Sequence, residues 1–252
     1  MKLSLCINSA TGEMERPDAI RLAKKLGFPA IEFWEGGAED FDPTPFKSAI
    51  DETGVTVACM GFARGLVDPA TRPEFLDSVK RSLANAKTLG AKGIIVATGD
   101  ELKDIPRQAQ HNSIVDGLKE AAKIVEGTGI MLLLEPLNIL VNHIGYYLDK
   151  STEAFEIVRK VGSPCVKVLF DIYHQQISEG QLIANITENI ECIGHFHVAG
   201  NPGRNEPYFG EINYPEVFAA IEKAGYTGYA GLEYWPKVDV EDSLKKCLEL
   251  YG

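Results

Sequence analysis

Short apolar segments alternate with amphipathic segments eight times along this chain. The apolar runs, rich in β-branched residues, cover residues 2–8, 30–34, 55–62, 93–99, 131–136, 166–174, 193–200 and 228–236. Helical periodicity between them predicts helices over 16–26, 45–52, 73–89, 106–126, 151–161, 179–190, 214–224 and 240–251. Sharing the chain among eight units leaves roughly 30 residues for each, enough for a strand, a helix and two turns.

The alternation favours one fold class. Residues 94–96 and 131–134 are apolar on both faces of a strand, which is typical of a parallel sheet that helices cover. Eight successive βα units predict an α/β fold, a closed (β/α)₈ TIM barrel, as a single domain over residues 1–252. A doubly wound open sheet is the alternative, but no Gly-x-Gly-x-x-Gly motif follows the first strand.

The charge balance limits the partners of the chain. There are 25 Lys and Arg against 36 Asp and Glu, and the resulting formal net charge of −11 repels phosphate backbones and anionic lipid. No apolar run reaches the roughly 18 residues of a transmembrane helix, and the N-terminus does not resemble a signal peptide. The 5 cysteines are scattered, as expected for reduced thiols. We therefore predict a cytoplasmic protein with no nucleic-acid or membrane partner.

Ionisable residues lie at the ends of the last four predicted strands, namely Glu135, Asp171, His197 and Glu233. The carboxyl ends of barrel strands form one face, and carboxylates are rarely buried unless they are paired or bind a metal. We expect the four side chains to converge above the barrel axis. Glu135 or Asp171 capping a turn, and Glu233 paired with Lys or Arg, are structural alternatives. His195 shares a strand face with His197 but lies deeper, which favours an interior histidine.

Three carboxylates and one imidazole form an oxygen-rich site. Such a site suits one divalent ion, Mn²⁺, Mg²⁺ or Co²⁺, with zinc also possible. A substrate could chelate the ion through a carbonyl and an adjacent hydroxyl, and the ion would stabilise an enediolate. Glu135 and Glu233 could flank that substrate as the acid/base pair that an isomerase or epimerase needs.

Five segments of the second half resemble a known family: LLLEPLN (132–138), FDIYH (170–174), GHFHVAGNPGRNEP (194–207), GEINYP (210–215) and GLEY (231–234). They are similar to the hydroxypyruvate isomerases, which belong to the xylose-isomerase-like TIM barrels together with the ketose 3-epimerases. The resemblance is close over residues 130–236 and covers the first half in outline. It implies a divalent metal held by Glu135, Asp171, His197 and Glu233, the two glutamates as acid and base, and a homo-oligomer, either a dimer or a tetramer.

The resemblance also implies residues that contact the substrate. His174 lies three residues beyond Asp171, in the loop after the strand, and Arg204 lies in a Pro-Gly turn, where a guanidinium could hold a carboxylate or a hydroxyl pair. A surface histidine and a solvated loop arginine are the alternatives. Trp34 and Phe62 could stack on the apolar face of a sugar or only close the barrel mouth.

The implied function is an isomerase that interconverts the aldose and ketose, or hydroxy-aldehyde and hydroxy-keto, forms of a small sugar or sugar acid through a cis-enediolate. A ketose 3-epimerase is the alternative, because the closest isomerases tend to carry glutamine where His197 stands and the epimerases carry histidine. Less favoured are a non-catalytic sugar-binding barrel, a metal-dependent dehydratase, and a three-zinc apurinic/apyrimidinic endonuclease, which needs more histidines than the 5 present.

Overall fold

Eight parallel strands pair with their sequence neighbours, and the pairing of the first with the last closes a barrel. The computed structural model covers residues 1–252 and describes every side chain except that of Phe62, so the expectation for Phe62 lies outside the described residues. The strands are β1 Lys2–Cys6, β2 Ala30–Phe33, β3 Thr56–Arg64, β4 Gly93–Ala97, β5 Met131–Leu134, β6 Val166–Asp171, β7 Ile193–Val198 and β8 Tyr229–Leu232. The predicted TIM barrel is confirmed.

Nine α-helices connect or follow the strands in the part of the chain that the structure describes. They are α1 Arg16–Leu26, α2 Thr44–Thr53, α3 Arg72–Leu89, α4 Arg107–Val125, α5 Ser151–Val161, α6 Ile172–Ser178, α7 Leu182–Glu188, α8 Tyr214–Lys223 and α9 Val240–Tyr251. Several end as predicted at a left-handed glycine; α1, for example, ends at Gly27, whose φ is 97°. Among the described residues, none of these helices is long and apolar enough to cross a membrane.

One predicted segment folds differently from the expectation. The apolar run 166–174 ends as a strand at Asp171, and residues 172–178 form α6. The Asp171 side chain accepts a hydrogen bond from the backbone N–H of His174 and so caps the helix, which stops the strand. His174 therefore lies in the first turn of a helix, and the helix predicted over 179–190 is the shorter α7.

The alternation of side chains along the strands divides the barrel interior into layers. Cys59, Ile95, Leu133 and Leu169 form a small apolar cluster inside the barrel, apart from the larger core between strands and helices. Two positions further along β5 and β6, Glu135 and Asp171 face the same way as Leu133 and Leu169. The apolar cluster thus forms the floor beneath a polar layer at the carboxyl ends of the strands.

Candidate functional site

The structure brings together the four side chains that the sequence singles out at the strand ends. Asp171 and His197 are register partners on β6 and β7, whereas Glu135 and Glu233 directly follow β5 and β8. One ligand atom from each of the four lies within 4.8 Å of the others, and all four residues are buried. His197 Nδ1 is 3.1 Å from a Glu233 oxygen and 3.3 Å from a Glu135 oxygen.

Arg204 joins this cluster from the loop after β7. Its Nη2 is 2.9 Å from Asp171 Oδ2 and also bonds the carboxylate of Glu233. The residue is only 9% exposed, so the alternative of a solvated loop arginine is wrong. Its backbone adopts φ of 55°, a conformation that is costly for a residue with a side chain, and the buried ion pairs hold it there.

His174 lies beside Asp171 and is fully buried, which excludes the alternative of a surface histidine. Its Nδ1 accepts a hydrogen bond from the backbone N–H of Asn138 at 3.1 Å, so Nε2 carries the ring proton. Burial, reinforced by the charge of Arg204, holds the pKa of His174 well below its ordinary value. His174 is therefore a neutral donor at neutral pH.

Besides the two ring nitrogens of His197, which face carboxylates without forming a hydrogen bond, two buried nitrogen donors at the site have no hydrogen-bond partner among the described residues: Nε2 of His174 and Nε of Arg204. Buried donors are almost always hydrogen-bonded, so an unpartnered pair in one place indicates that something else supplies the acceptors. Both residues contact Asp171, at 3.5 Å from His174 Nε2 and 2.9 Å from Arg204 Nη2. The site thus offers donors to a ligand that carries oxygen atoms.

Trp34 contacts the cluster at Glu233. Its indole Nε1 donates a hydrogen bond of 2.8 Å to Glu233, and its ring lies 6.3 Å from that of Trp235. The side chain of Asn8, just after β1, accepts a hydrogen bond from the backbone N–H of Trp34 at 2.9 Å and fixes the loop that carries Trp34. The structure places Trp34 at the cluster, and its contact with a sugar stays a prediction.

Glu32 is a buried residue of the site that the sequence reasoning missed. It lies on β2, where its Oε2 is 2.9 Å from His195 Nε2 and its Oε1 is 2.8 Å from His197 Nε2. His195 is therefore the interior, hydrogen-bonded histidine that its depth in β7 predicts. A signal for Glu32 was present, because it is the one charged residue of the buried strand sequence Ala-Ile-Glu-Phe.

The surroundings move the pKa values of the two glutamates in opposite directions. Burial, opposed by His197 but reinforced by the neighbouring carboxylates, raises the pKa of Glu135 to about 7. Burial also disfavours the charged form of Glu233, but the charges of His197 and Arg204 outweigh it and lower the pKa to about 2. Two carboxyl groups held at different protonation states are the usual arrangement of an acid/base pair.

The donor set fits a divalent metal ion. Glu135, Asp171 and Glu233 bring three carboxylates into one buried pocket, and Arg204 and His197 are the cationic partners in direct contact with them. Carboxylate oxygens with one imidazole nitrogen suit Mn²⁺, Mg²⁺, Co²⁺ or zinc. With His197 neutral as a ligand, three carboxylates and Arg204 leave two negative charges, which a dication would balance. The identity of the ion does not follow from the donors.

A parallel barrel with ionisable groups gathered at the carboxyl ends of its strands is the arrangement of TIM-barrel enzymes. The model of the xylose isomerase-like TIM barrel family matches residues 20–250, and the chain belongs to this family. This confirms the resemblance found in the sequence.

Relatives cover nearly the whole chain. Hydroxypyruvate isomerase of Escherichia coli K12 is 29% identical over 97% of this chain and 97% of its own length. A 2-oxo-tetronate isomerase of Cupriavidus necator is 32% identical over 90% of both chains. A crystal structure from Brucella melitensis, described as an AP endonuclease of family 2, has a TM-score of 0.91 at 28% identity and covers 99% of both chains.

Proposed function

We propose that this protein is a divalent-metal-dependent isomerase of small sugar acids, of the hydroxypyruvate isomerase kind. It would interconvert the hydroxy-aldehyde and hydroxy-keto forms of its substrate by proton transfer through a cis-enediolate. Relatives named for hydroxypyruvate and 2-oxo-tetronate isomerisation support this substrate class. The observation that carries the proposal is the buried cluster of Glu135, Asp171, His197 and Glu233 at the mouth of the barrel.

Glu135, Asp171, His197 and Glu233 would hold one ion, Mn²⁺, Mg²⁺ or Co²⁺, with zinc also possible. When bound, the ion would polarise a substrate carbonyl and the adjacent hydroxyl. The two glutamates come from β5 and β8, and both contact His197. In this proposal they flank the substrate, so that one removes the proton next to the carbonyl while the other returns a proton at the neighbouring carbon.

The unpartnered donors support a position for the substrate. We assign Nε of Arg204 and Nε2 of His174 to the carboxylate or hydroxyl oxygens of the sugar acid, because both are buried donors without an acceptor among the described residues. A guanidinium can donate from Nε while Nη2 remains paired with Asp171 and Glu233. The indole of Trp34 would shield the reacting atoms from water near Glu233.

Proton exchange in D₂O tests the reaction directly. Purified protein with Mn²⁺ is incubated in D₂O with hydroxypyruvate, 2-oxo-tetronate or the ketose D-psicose, each in a separate sample. ¹H NMR follows the loss of substrate proton signals as deuterium enters from the solvent, and the appearance of product signals. We expect the sugar acids to exchange and isomerise while the ketose does not. Epimerisation of the ketose without turnover of either acid would replace the proposal with the 3-epimerase alternative, and mass loss would indicate a dehydratase.

Two variants test the residues. Glu135→Gln and Glu233→Gln should each abolish exchange, whereas Glu153→Gln is a control on α5, outside the barrel, where the carboxylate pairs with Arg107. Near wild-type exchange in either site variant, when it is loaded with metal, would contradict the two-glutamate mechanism. The dimeric or tetrameric state and the cytoplasmic location stay predictions. Light scattering would test the oligomeric state.

A further inference from the structure

Glu32 connects two histidines beneath the proposed metal site. The carboxylate projects from β2 across the barrel to β7, a separation of 163 residues in sequence. Each oxygen has its own partner, since Oε2 is 2.9 Å from His195 Nε2 and Oε1 is 2.8 Å from His197 Nε2. Both histidines and Glu32 are almost completely buried, so water does not compete for these contacts.

A glycine on β8 leaves space for this carboxylate, because it has no side chain. Gly231 is the register partner of His197, and a Cβ added to it would lie 2.0 Å from Glu32 Oε1. The closest of the atoms that it would displace is the oxygen that faces His197, and the carboxylate carbon and Oε2 would follow at 2.4 and 2.5 Å. A residue larger than glycine at position 231 would therefore push Glu32 away from His197. An alanine would do so without adding a polar group to the site.

The two nitrogens of His197 face different groups. Nδ1 points to the carboxylates of Glu135 and Glu233, at 3.3 and 3.1 Å, while Nε2 points down to Glu32. Because carboxylates face both nitrogens, they favour a proton on each, and the ring of the metal-free protein pairs with them as a cation. A metal on Nδ1 would replace one of these protons, and Glu32 would then face the proton that remains on Nε2. A histidine that binds a metal through one nitrogen commonly donates the other N–H in this way.

We propose that Glu32, seated by Gly231, is a positioning residue that fixes the ring orientation of His197 for metal binding. The role rests on the metal site of the proposed function. Glu32 contacts no substrate in this arrangement and acts only through His197. Its second oxygen bonds His195, which prevents rotation of the carboxylate and holds Oε1 in place.

A second metal site is the competing interpretation of the same residues. Atoms of Glu32, Cys59, His195 and His197 lie within 4.8 Å of one another. The contacts of Glu32 with the two imidazoles, at 2.8 and 2.9 Å, have hydrogen-bond lengths. Two ligands that bind one tetrahedral ion at about 2.1 Å each lie roughly 3.4 Å apart. The geometry therefore favours a hydrogen bond to His195 and an ion pair with His197 over a deep cation.

The test compares Glu32→Gln and Gly231→Ala with wild type. In the first variant a single amide oxygen remains to face two imidazoles. In the second the residue keeps its charge, but the added methyl displaces the carboxylate. Gly117→Ala on α4 is the matched control, since its added methyl meets a Leu66 carbon at 2.6 Å outside this site. Mn²⁺ affinity is measured by calorimetry, and the His197 nitrogens are followed by ¹⁵N NMR with and without Mg²⁺.

We expect wild type to bind one Mn²⁺, both site variants to bind it about 10–100-fold more weakly, and the control to bind as wild type does. The wild-type spectrum should show a slowly exchanging proton on Nε2 of His197, which is lost or weakened in both site variants. Unchanged affinity together with an unchanged Nε2 proton would overturn the proposal. A second ion per chain that is lost in Glu32→Gln would also overturn it, because Glu32 would then be a ligand.

The two proposals fail in different ways. Absence of Mn²⁺ binding by wild type would refute the metal site of the proposed function. The metal-free NMR spectrum would still decide the orientation of His197, since a ring proton found on Nδ1 with a bare Nε2 contradicts the positioning role without any metal present.

Discussion

Replacing Glu135 with Gln should stabilise the protein without metal and destabilise it, relative to wild type, with metal. Burial and the neighbouring carboxylates raise the pKa of Glu135 from 4.5 to about 7. A shift of this size means that ionised Glu135 costs the folded state up to about 3 kcal/mol. At pH 8, metal-free Glu135→Gln should therefore be more stable by up to that amount, which corresponds to about 6–12 °C in Tm for a chain of this length.

The same reasoning fixes the dependence on pH. Because the folded pKa lies above the unfolded one, the native state binds more protons between about pH 4.5 and pH 7. The free energy of unfolding of metal-free wild type should fall as the pH rises through this window, and that contribution should be absent in Glu135→Gln. Below pH 4.5 the two proteins should have similar stability.

Bound metal should make wild type more stable than Glu135→Gln, which reverses the order expected without metal. Mn²⁺ at 1,000 times the wild-type Kd adds about 4 kcal/mol to a protein that binds it only when folded. Glu135→Gln lacks one of the four ligands and should gain little. Thermal unfolding at pH 8 with EDTA and then with Mn²⁺ measures both effects, and Glu153→Gln is the control that Mn²⁺ should stabilise as much as wild type. Two results would contradict this prediction. Glu135→Gln could be less stable than wild type in EDTA, or Mn²⁺ could raise its stability as much as it raises that of wild type.

Three further predictions use other contacts. Trp34→Phe should lower kcat/KM roughly tenfold or more, because it removes a hydrogen bond to a charged group. Mn²⁺ should change the tryptophan emission of wild type, and the variant should lose most of that change; an equal response in both would place Trp34 away from the ion. Hydrogen bonds and charges from His111 and Arg107 overcome burial and lower the pKa of Glu153, so the stability that they supply is present at neutral pH and disappears as the pH falls through the folded pKa. Denaturant titrations should accordingly show that Glu153→Gln loses more stability relative to wild type at pH 7 than at acid pH, and an equal loss at both would contradict this. Binding of Mn²⁺ near pH 6 should release protons from Glu135 and from His197, which must lose the proton on Nδ1 to act as a ligand, and calorimetry in buffers of different ionisation enthalpy that shows no release would contradict it.

Short-range sequence patterns were sufficient to predict the barrel and to predict that the four strand-end residues converge. Apolar strands, amphipathic helices and left-handed glycines are each encoded within a few residues, and parallel closure places all strand ends on one face. Glu135, Asp171, His197 and Glu233 could be named because each follows an apolar run at the same height. Their roles as ligands, acid and base stay predictions that the experiments above test.

Contacts that depend on strand register could not be read in the same way. The pairing of Glu32 with His197 crosses the barrel and requires Gly231 to leave space, which no local pattern reveals. The burial of Arg204 depends on its positive φ and on two distant carboxylates. The sequence alone did not resolve whether Asp171 caps a helix or belongs to the site, and the structure shows that it does both.

Anomalous diffraction from crystals soaked in Mn²⁺ is the most direct test of the metal site. We predict one strong peak per chain, surrounded by oxygens of Glu135, Asp171 and Glu233 and by Nδ1 of His197. Glu32 should remain in contact with Nε2 of His197. A peak located instead among Glu32, Cys59 and His195, or no peak at the carboxyl ends of β5 to β8, would contradict it.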